Sequence, residues 1–310
     1  MSLTRRRLLS RSASLAAAAV GASPRLLRAA EPRGPGIQLW TVRDPLAADL
    51  EGTLRELRTI GFTEVEPAGF MGLSAAEFRK RLDDAGLAAP SVQLDLGGDG
   101  VDAAFADAHA LGAHYAVSSM LRAGTGPLPF EGPRDAPPGL APPMRTMTLD
   151  DALRTAELAN RVGERARRAG LQYAYHNHAF ELVPQANGAI PYDVLIERTD
   201  PELVRLELDC GWLVVGGGNP VDYLERYPGR VPLLHVKDFL PAPNAERGRP
   251  GPRYGAELGR GTIDYAPILA AARARDLEHY YVEQEGPYTR MSPLDSAAVA
   301  YDYLRKVSGA

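Results

Sequence analysis

Four side chains able to hold a divalent cation recur at matching places in the second half of the sequence: His176, Asp209, His235 and Glu283. Each stands at or near the end of a short apolar run that reads as a β-strand, in LQYAYHNH, LVRLELDC, VPLLHVK and YYVEQE. Two imidazoles and two carboxylates make up a complete mononuclear site. The mixed nitrogen and oxygen donors suit Mn2+, ahead of Zn2+, Co2+ or Fe2+, and suit Ca2+ or a structural zinc finger less well. Taken singly, each residue has an ordinary explanation. Asp209 could cap a helix, His235 could pair with Asp238, and a strand-end histidine could bond to backbone. Their shared position on four successive strands is what sets them apart.

A second ring of polar residues keeps the same phase. The chain has six histidines, and His176 and His178 are separated by one residue in LQYAYHNHAFEL. Residues i and i+2 of a strand point to one side, so both are expected to face a common cavity. Glu207, Lys237 and Glu285 also stand two residues from a candidate ligand. Glu64 and Glu66 share a phase on an earlier strand. Uncompensated charge in a closed interior is costly, so these groups are expected to form a mutually paired polar cup around a cation and an oxygen-rich substrate. Buried ion pairing is the expectation for Glu64 and Glu207, and chemistry for Lys237 and Glu285.

The elements that must position these groups repeat about every 25 to 30 residues. Strands are predicted at 37–42, 62–67, 89–94, 114–119, from 171, and at 203–210, 231–237 and 280–285. Helices are predicted at 49–60, 74–86, 101–111, 148–169, 192–199, 221–227, 265–275 and 293–306. Several helices end at a glycine, and Ser74 with Glu77 reads as a capping box. Eight strands in strict alternation with eight helices specify an α/β fold, a single (β/α)8 TIM barrel over residues 31–310. No glycine-rich phosphate loop follows the first strand, which argues against a doubly wound sheet. The regularity breaks at 122–147, a Pro- and Gly-rich stretch expected on the strand-end face.

Residues 1–30 read as an address. Arg5-Arg6-Arg7 precede a short Ala-rich run, and Ala29-Ala30 offers a cleavage site, a twin-arginine signal peptide implying export to the periplasm through the twin-arginine machinery. The apolar run is too short for a spanning helix of about 20 residues. The segment holds six arginines and no acid; the whole chain has 35 basic and 39 acidic residues, leaving 29 and 39 in the remainder, a net charge of −10. Such an acidic body is a poor partner for nucleic acid, whose binding relies on Lys and Arg. The lone Cys210 permits no internal disulfide and reads as a buried small side chain.

The motifs IQLWTVRD (37–44), VEPAG (65–69), YHNHAFEL (175–182), ELDCGW (207–212), HVKD (235–238), GRGTID (259–264) and VEQE (282–285) resemble the sugar phosphate isomerase/epimerase family, the xylose-isomerase-like barrels. The resemblance runs from Ile37 nearly to the end of the chain, and the family's metal set maps onto His176, Asp209, His235 and Glu283. Many members carry a Glu at the first of these positions; with His176 there, this chain resembles the YHNH-containing subgroup. The resemblance implies one divalent metal ion and a small carbohydrate substrate, with proton transfer beside a carbonyl. In that reading Glu283 or Glu285 takes the proton, with His178 a further candidate, and Lys237 donates to the developing oxyanion. Trp40 and Glu66 are expected to contact the substrate. Returning the proton gives isomerisation or epimerisation, while loss of a β-hydroxyl from the same intermediate gives dehydration. A metal-dependent DNA-repair endonuclease and a non-catalytic exported sugar-binding protein are the readings from other classes. The acidic charge opposes the first, and the complete ligand set opposes the second.

Overall fold

In the computed structural model, which describes residues 34–118, 120–121, 146–240, 255–275, 277–285, 288 and 290–309, short strands alternate with helices. β1 (Gly36–Gln38) runs through a 3-10 turn (Leu39–Val42) into α1 (Arg43–Ala48) and α2 (Leu50–Ile60). Then come β2 (Val65–Glu66), α3 (Ala75–Ala85), β3 (Ser91–Gln93), α4 (Val101–Leu111) and β4 (Tyr115–Ser118). α5 (Leu149–Arg168), β5 (Gln172–His176), α6 (Pro191–Arg198) and β6 (Val204–Asp209) follow, then α7 (Cys210–Val215) and α8 (Pro220–Arg226). After β7 (Leu233–Val236), β8 (Asp238–Phe239) pairs antiparallel with β9 (Gly255–Ala256). α9 (Tyr265–Arg273), β10 (His279–Val282) and α10 (Pro293–Ser308) complete the chain.

Eight strands pair in the order β2-β1-β10-β7-β6-β5-β4-β3. All seven of these pairings are parallel. Between β2 and β3 the ladder thins to one parallel bridge, Glu64 with Ala88, and a bond from Gln93 N–H to Pro67 O at 2.9 Å. The result is a single, nearly closed ring of eight parallel strands with helices outside, the barrel that the alternation predicts.

Local chemistry explains the elements. α5 presents Ala152, Thr155, Ala156, Ala159, Val162, Gly163 and Ala166 to the core at helical spacing, small residues that let it lie close to the sheet. Capping boxes start α3 (Ser74 with Glu77) and α5 (Thr148 with Asp151), and Gly86 closes α3 at φ 71°. A small separate cluster of Tyr115, Val117, Ala174, Leu233 and Tyr281 floors the ring interior. Ala174, Leu233 and Tyr281 stand two residues before His176, His235 and Glu283, so alternation lifts those three onto the layer above.

Several boundaries differ from expectation. Trp40 sits in the 3-10 turn rather than a strand, because Gln38 Oε1 accepts the Trp40 N–H at 2.6 Å and turns the chain. β5 ends at His176, so His178 is not a strand residue; it precedes a 3-10 turn (Ala179–Glu181). Lys237, Glu283 and Glu285 likewise lie beyond the ends of β7 and β10. Cys210 opens α7 rather than ending a strand. Ten α-helices occur among the described residues, since α1 and α7 are too short to carry a periodic signal. The signal-like segment and most of the 122–147 stretch lie outside the described residues. Among the described residues no helix is long and apolar enough to cross a membrane.

Candidate metal centre

Strand register brings the four candidate ligands together. In the ladders Asp209 is the partner of His235, His176 that of Glu207, and Tyr281 that of His235. One ligand atom from each of His176, Asp209, His235 and Glu283 lies within 4.8 Å of the others, and all four residues are buried. That spread is close to the span of about 4 Å that bonds of about 2.0–2.2 Å set for opposite ligands. His176 Nε2 is 3.9 Å from Asp209 Oδ2, and His235 Nδ1 is 2.9 Å from Glu283 Oε2.

The outer nitrogens of both imidazoles meet one carboxylate oxygen. Glu207 Oε2 is 2.9 Å from His176 Nδ1 and 3.2 Å from His235 Nε2. Glu66 Oε2 is also 3.0 Å from His235 Nε2. A carboxylate behind a histidine fixes its tautomer and leaves the opposite nitrogen free to bind a cation. Asp209 is divided in the same way. Its Oδ1 accepts the Trp212 N–H at 2.7 Å, capping α7, while Oδ2 is buried and faces His176 Nε2 at 3.9 Å and the Lys237 ammonium at 3.2 Å. The buried donor set, the carboxylates behind the imidazoles and the Asp209 oxygen turned toward His176 fit a divalent cation.

Asn177, between the two histidines, locks β5 to β6. Its Oδ1 accepts the Asp209 N–H at 2.9 Å, and its Nδ2 donates to the Asp209 carbonyl at 3.3 Å. Gln93 reaches Glu207 Oε2 from β3 at 3.3 Å. Gln93 also lines a cavity of about 210 Å3 with Asp95, Ser118, Met120 and Leu121, at the C-terminal ends of β3 and β4.

Lys237 is buried among three carboxylates, with Nζ 2.8 Å from Glu283 Oε2, 2.9 Å from Glu285 Oε1 and 3.2 Å from Asp209 Oδ2. The ammonium also lies 4.6 Å over the Trp212 ring. Burial alone would lower its pKa, but the carboxylates outweigh that and hold it well above the usual lysine range. Burial likewise opposes ionisation of Glu283, yet Lys237 and His235 keep it well below the ordinary carboxylate range. Burial, then Glu207, raises Glu66. Burial would neutralise His235, but Glu207 and Glu66 hold its pKa high. Glu285, with about a third of its side chain exposed, is the carboxylate of this group nearest solvent.

The other residues singled out from sequence fall at different depths. His178 is adjacent to the quartet, its ring 5.0 Å from that of His176, and it stacks on Phe180. Its backbone N–H donates to Glu181 Oε2 at 2.6 Å. Glu66 faces the outer side of His235, and Glu64 pairs with His279 at 2.7 Å in a separate buried contact. Trp40 is about a third exposed, with the Arg43 guanidinium 4.7 Å over its ring. Asp238 turns away from His235 and accepts backbone N–H groups of Phe239, Gly259, Gly261, Thr262 and Ile263. Sequence reasoning missed Asn177, Gln93, Tyr265 and this use of Asp238. The GRGTID motif, an N–H-rich loop after a conspicuous Asp, was the available signal for the last.

Comparison with known proteins agrees with the fold. The chain belongs to the xylose isomerase-like TIM barrel family, whose model matches residues 54–307. An inosose dehydratase of Lacticaseibacillus casei is 32% identical over 166 residues, 51% of this chain and 55% of that protein. The chain thus spans about half the length of the curated relatives it matches. A sugar phosphate isomerase/epimerase from Parabacteroides distasonis superposes with a TM-score of 0.69 at 22% identity, over 87% of this chain and 97% of that one. A xylose isomerase-like TIM barrel protein from Mycobacterium smegmatis, solved in complex with magnesium, superposes with a TM-score of 0.63 at 18% identity, over 90% and 97%.

Proposed function

We propose that the protein is a divalent-metal-dependent isomerase or epimerase that moves a proton next to the carbonyl of an unphosphorylated sugar or keto-sugar. The observation carrying this reading is the contact between Glu285 Oε1 and Lys237 Nζ, 2.9 Å, beside a set of four buried ligands. His176, Asp209, His235 and Glu283 would hold the ion, with Mn2+ ahead of Zn2+, Co2+ or Fe2+. When bound, the ion supplies a Lewis acid for the carbonyl and neighbouring hydroxyl oxygens.

The chain's own groups divide the remaining work. Glu285 takes the proton from carbon; it is the reachable carboxylate, whereas Glu283 is committed to His235 and Lys237. The C–H electron pair becomes part of the enediolate, and negative charge grows on the carbonyl oxygen. Lys237, kept cationic by its neighbours, donates to that oxygen. A proton delivered to the opposite face by a second carrier epimerises the carbon; a proton returned to the former carbonyl carbon, with the neighbouring hydroxyl's proton passing to its oxygen, isomerises the substrate. In this reading His178 is a second proton carrier and Trp40 a substrate contact, while Glu66, on the outer side of His235, backs that ligand.

Dehydration is the second reading, favoured by the similarity to inosose dehydratase. The first step is shared; then the β-hydroxyl departs, taking a proton to leave as water. Incubation with inosose and with ketoses in heavy water separates the readings. Deuterium at carbon with mass otherwise unchanged marks an isomerase or epimerase, and loss of one water marks a dehydratase. Metal-loaded protein that binds sugars but exchanges no proton would overturn both and leave a binding protein. We also read the Arg5-Arg6 motif as twin-arginine export of the folded protein, so that the ion is loaded before competing Cu or Zn is met outside.

A further inference from the structure

Lys237 lies one residue past β7, where the strand ladder has stopped. In an extended residue the N–H and C=O point to the same side, and in a sheet a neighbouring strand satisfies both. Here a single hydroxyl does so. Tyr265 Oη accepts the Lys237 N–H at 2.7 Å and donates to the Lys237 carbonyl at 2.7 Å. Burial keeps this phenol protonated and so able to donate.

The clamp has two further parts. Asp238 gathers the N–H groups of Gly259, Gly261, Thr262 and Ile263 at 3.2, 3.0, 2.9 and 3.1 Å, and so anchors the loop that carries Tyr265. Gly211 also approaches so closely that an added Cβ would stand 2.7 Å from the Lys237 carbonyl oxygen and 2.8 Å from its Cβ. The residue after that glycine, Trp212, sits under the ammonium.

We infer that Tyr265 is a positioning residue that fixes the Lys237 ammonium in place before substrate arrives. The hydroxyl completes the ladder that β7 leaves unfinished, and the Asp238-anchored loop supplies that hydroxyl. An electrostatic donor helps most when it needs no reorganisation as charge develops. The catalytic consequence rests on the proton-transfer reading above; the placement itself does not, and is tested without substrate.

The chain has three lysines, and Lys80 and Lys306 are exposed, so each experiment carries its own reference. Purified full-length protein is treated with limiting acetic anhydride, and acylation at each lysine is followed by peptide mass spectrometry. Lys237 is expected to react more slowly than Lys80 and Lys306. Tyr265→Phe, which deletes one oxygen, is expected to raise the Lys237 rate about tenfold or more, the size set by losing two hydrogen bonds. The Lys80 rate and the circular dichroism spectrum stay unchanged. Lys237 equally slow in a folded Tyr265→Phe protein overturns the inference. If that variant does not fold, Asp238→Asn loosens the same loop from the other side. Faster Lys237 acylation there supports the clamp, and unchanged protection refutes it. Loss of proton transfer in Lys237→Met, with Lys237 protection in the wild type independent of Tyr265, would leave the functional reading standing and this one not.

Discussion

Glu207 Oε2 lies 2.9 Å from Nδ1 of His176, its ladder partner across β5 and β6. The same oxygen is 3.2 Å from His235 Nε2, so one carboxylate sets the tautomer of two candidate ligands. Outer carboxylates of this kind contribute about 10–100-fold to metal affinity. Glu207→Gln is therefore expected to weaken Mn2+ or Zn2+ binding by about that factor in a chelator-competition titration. Affinity equal to wild type would assign Glu207 a packing role alone.

Removing a ligand should act more severely. His235→Ala deletes one imidazole and leaves Glu66, Glu207 and Glu283 facing a cavity without its cation. Metal analysis after dialysis is expected to give about one ion per wild-type chain and little in the variant, as for loss of one of four donors. Equal metal content in both would rule out the quartet.

Base and ligand can be told apart. Glu285→Gln keeps all four proposed ligands, so its metal content should match wild type. Its deuterium exchange into substrate should fall about 10²–10⁴-fold, the usual contribution of a general base. Glu283→Gln should lose the metal itself. Normal exchange in Glu285→Gln would move the proton to another carrier, with His178 next in line.

Lys237→Met is expected to lower turnover about 10²–10³-fold with a smaller change in KM, because the ammonium matters most once charge builds on oxygen. A purely raised KM would make Lys237 a ground-state contact.

Stability should carry a pH signature from Glu181. Burial raises this carboxyl from 4.5 to about 8, against the hydrogen bonds from Tyr175 and the His178 N–H. The unfolded chain releases the proton near 4.5, while the folded chain keeps it to about 8. Across that window the unfolded state binds fewer protons, so stability falls as pH rises and the loss is complete above the folded value. Thermal denaturation from about pH 5 to about pH 8 should show wild type losing stability relative to Glu181→Gln. Parallel Tm curves for the two proteins would contradict it.

Much of this was legible in the sequence. Period-two runs between capped helices specify the barrel, and in a barrel the strand ends must converge, which singles out His176, Asp209, His235 and Glu283 without coordinates. α4, predicted at 101–111, spans Val101–Leu111, and the Ser74 capping box forms as its residue types require. Periodicity could not tell where a strand of two to six residues stops, so it placed Trp40, His178, Lys237 and Glu285 on strands that end before them. The partnerships of Glu207 with two histidines, of Gln93 with Glu207 and of Tyr265 with the Lys237 backbone were decided by the tertiary fold alone. Each joins residues between 28 and 114 positions apart. Local pattern fixes the type of element and the face a side chain takes. Which buried donor meets which acceptor depends on ring closure and register, because only there does each polar group lose its alternative partner, water.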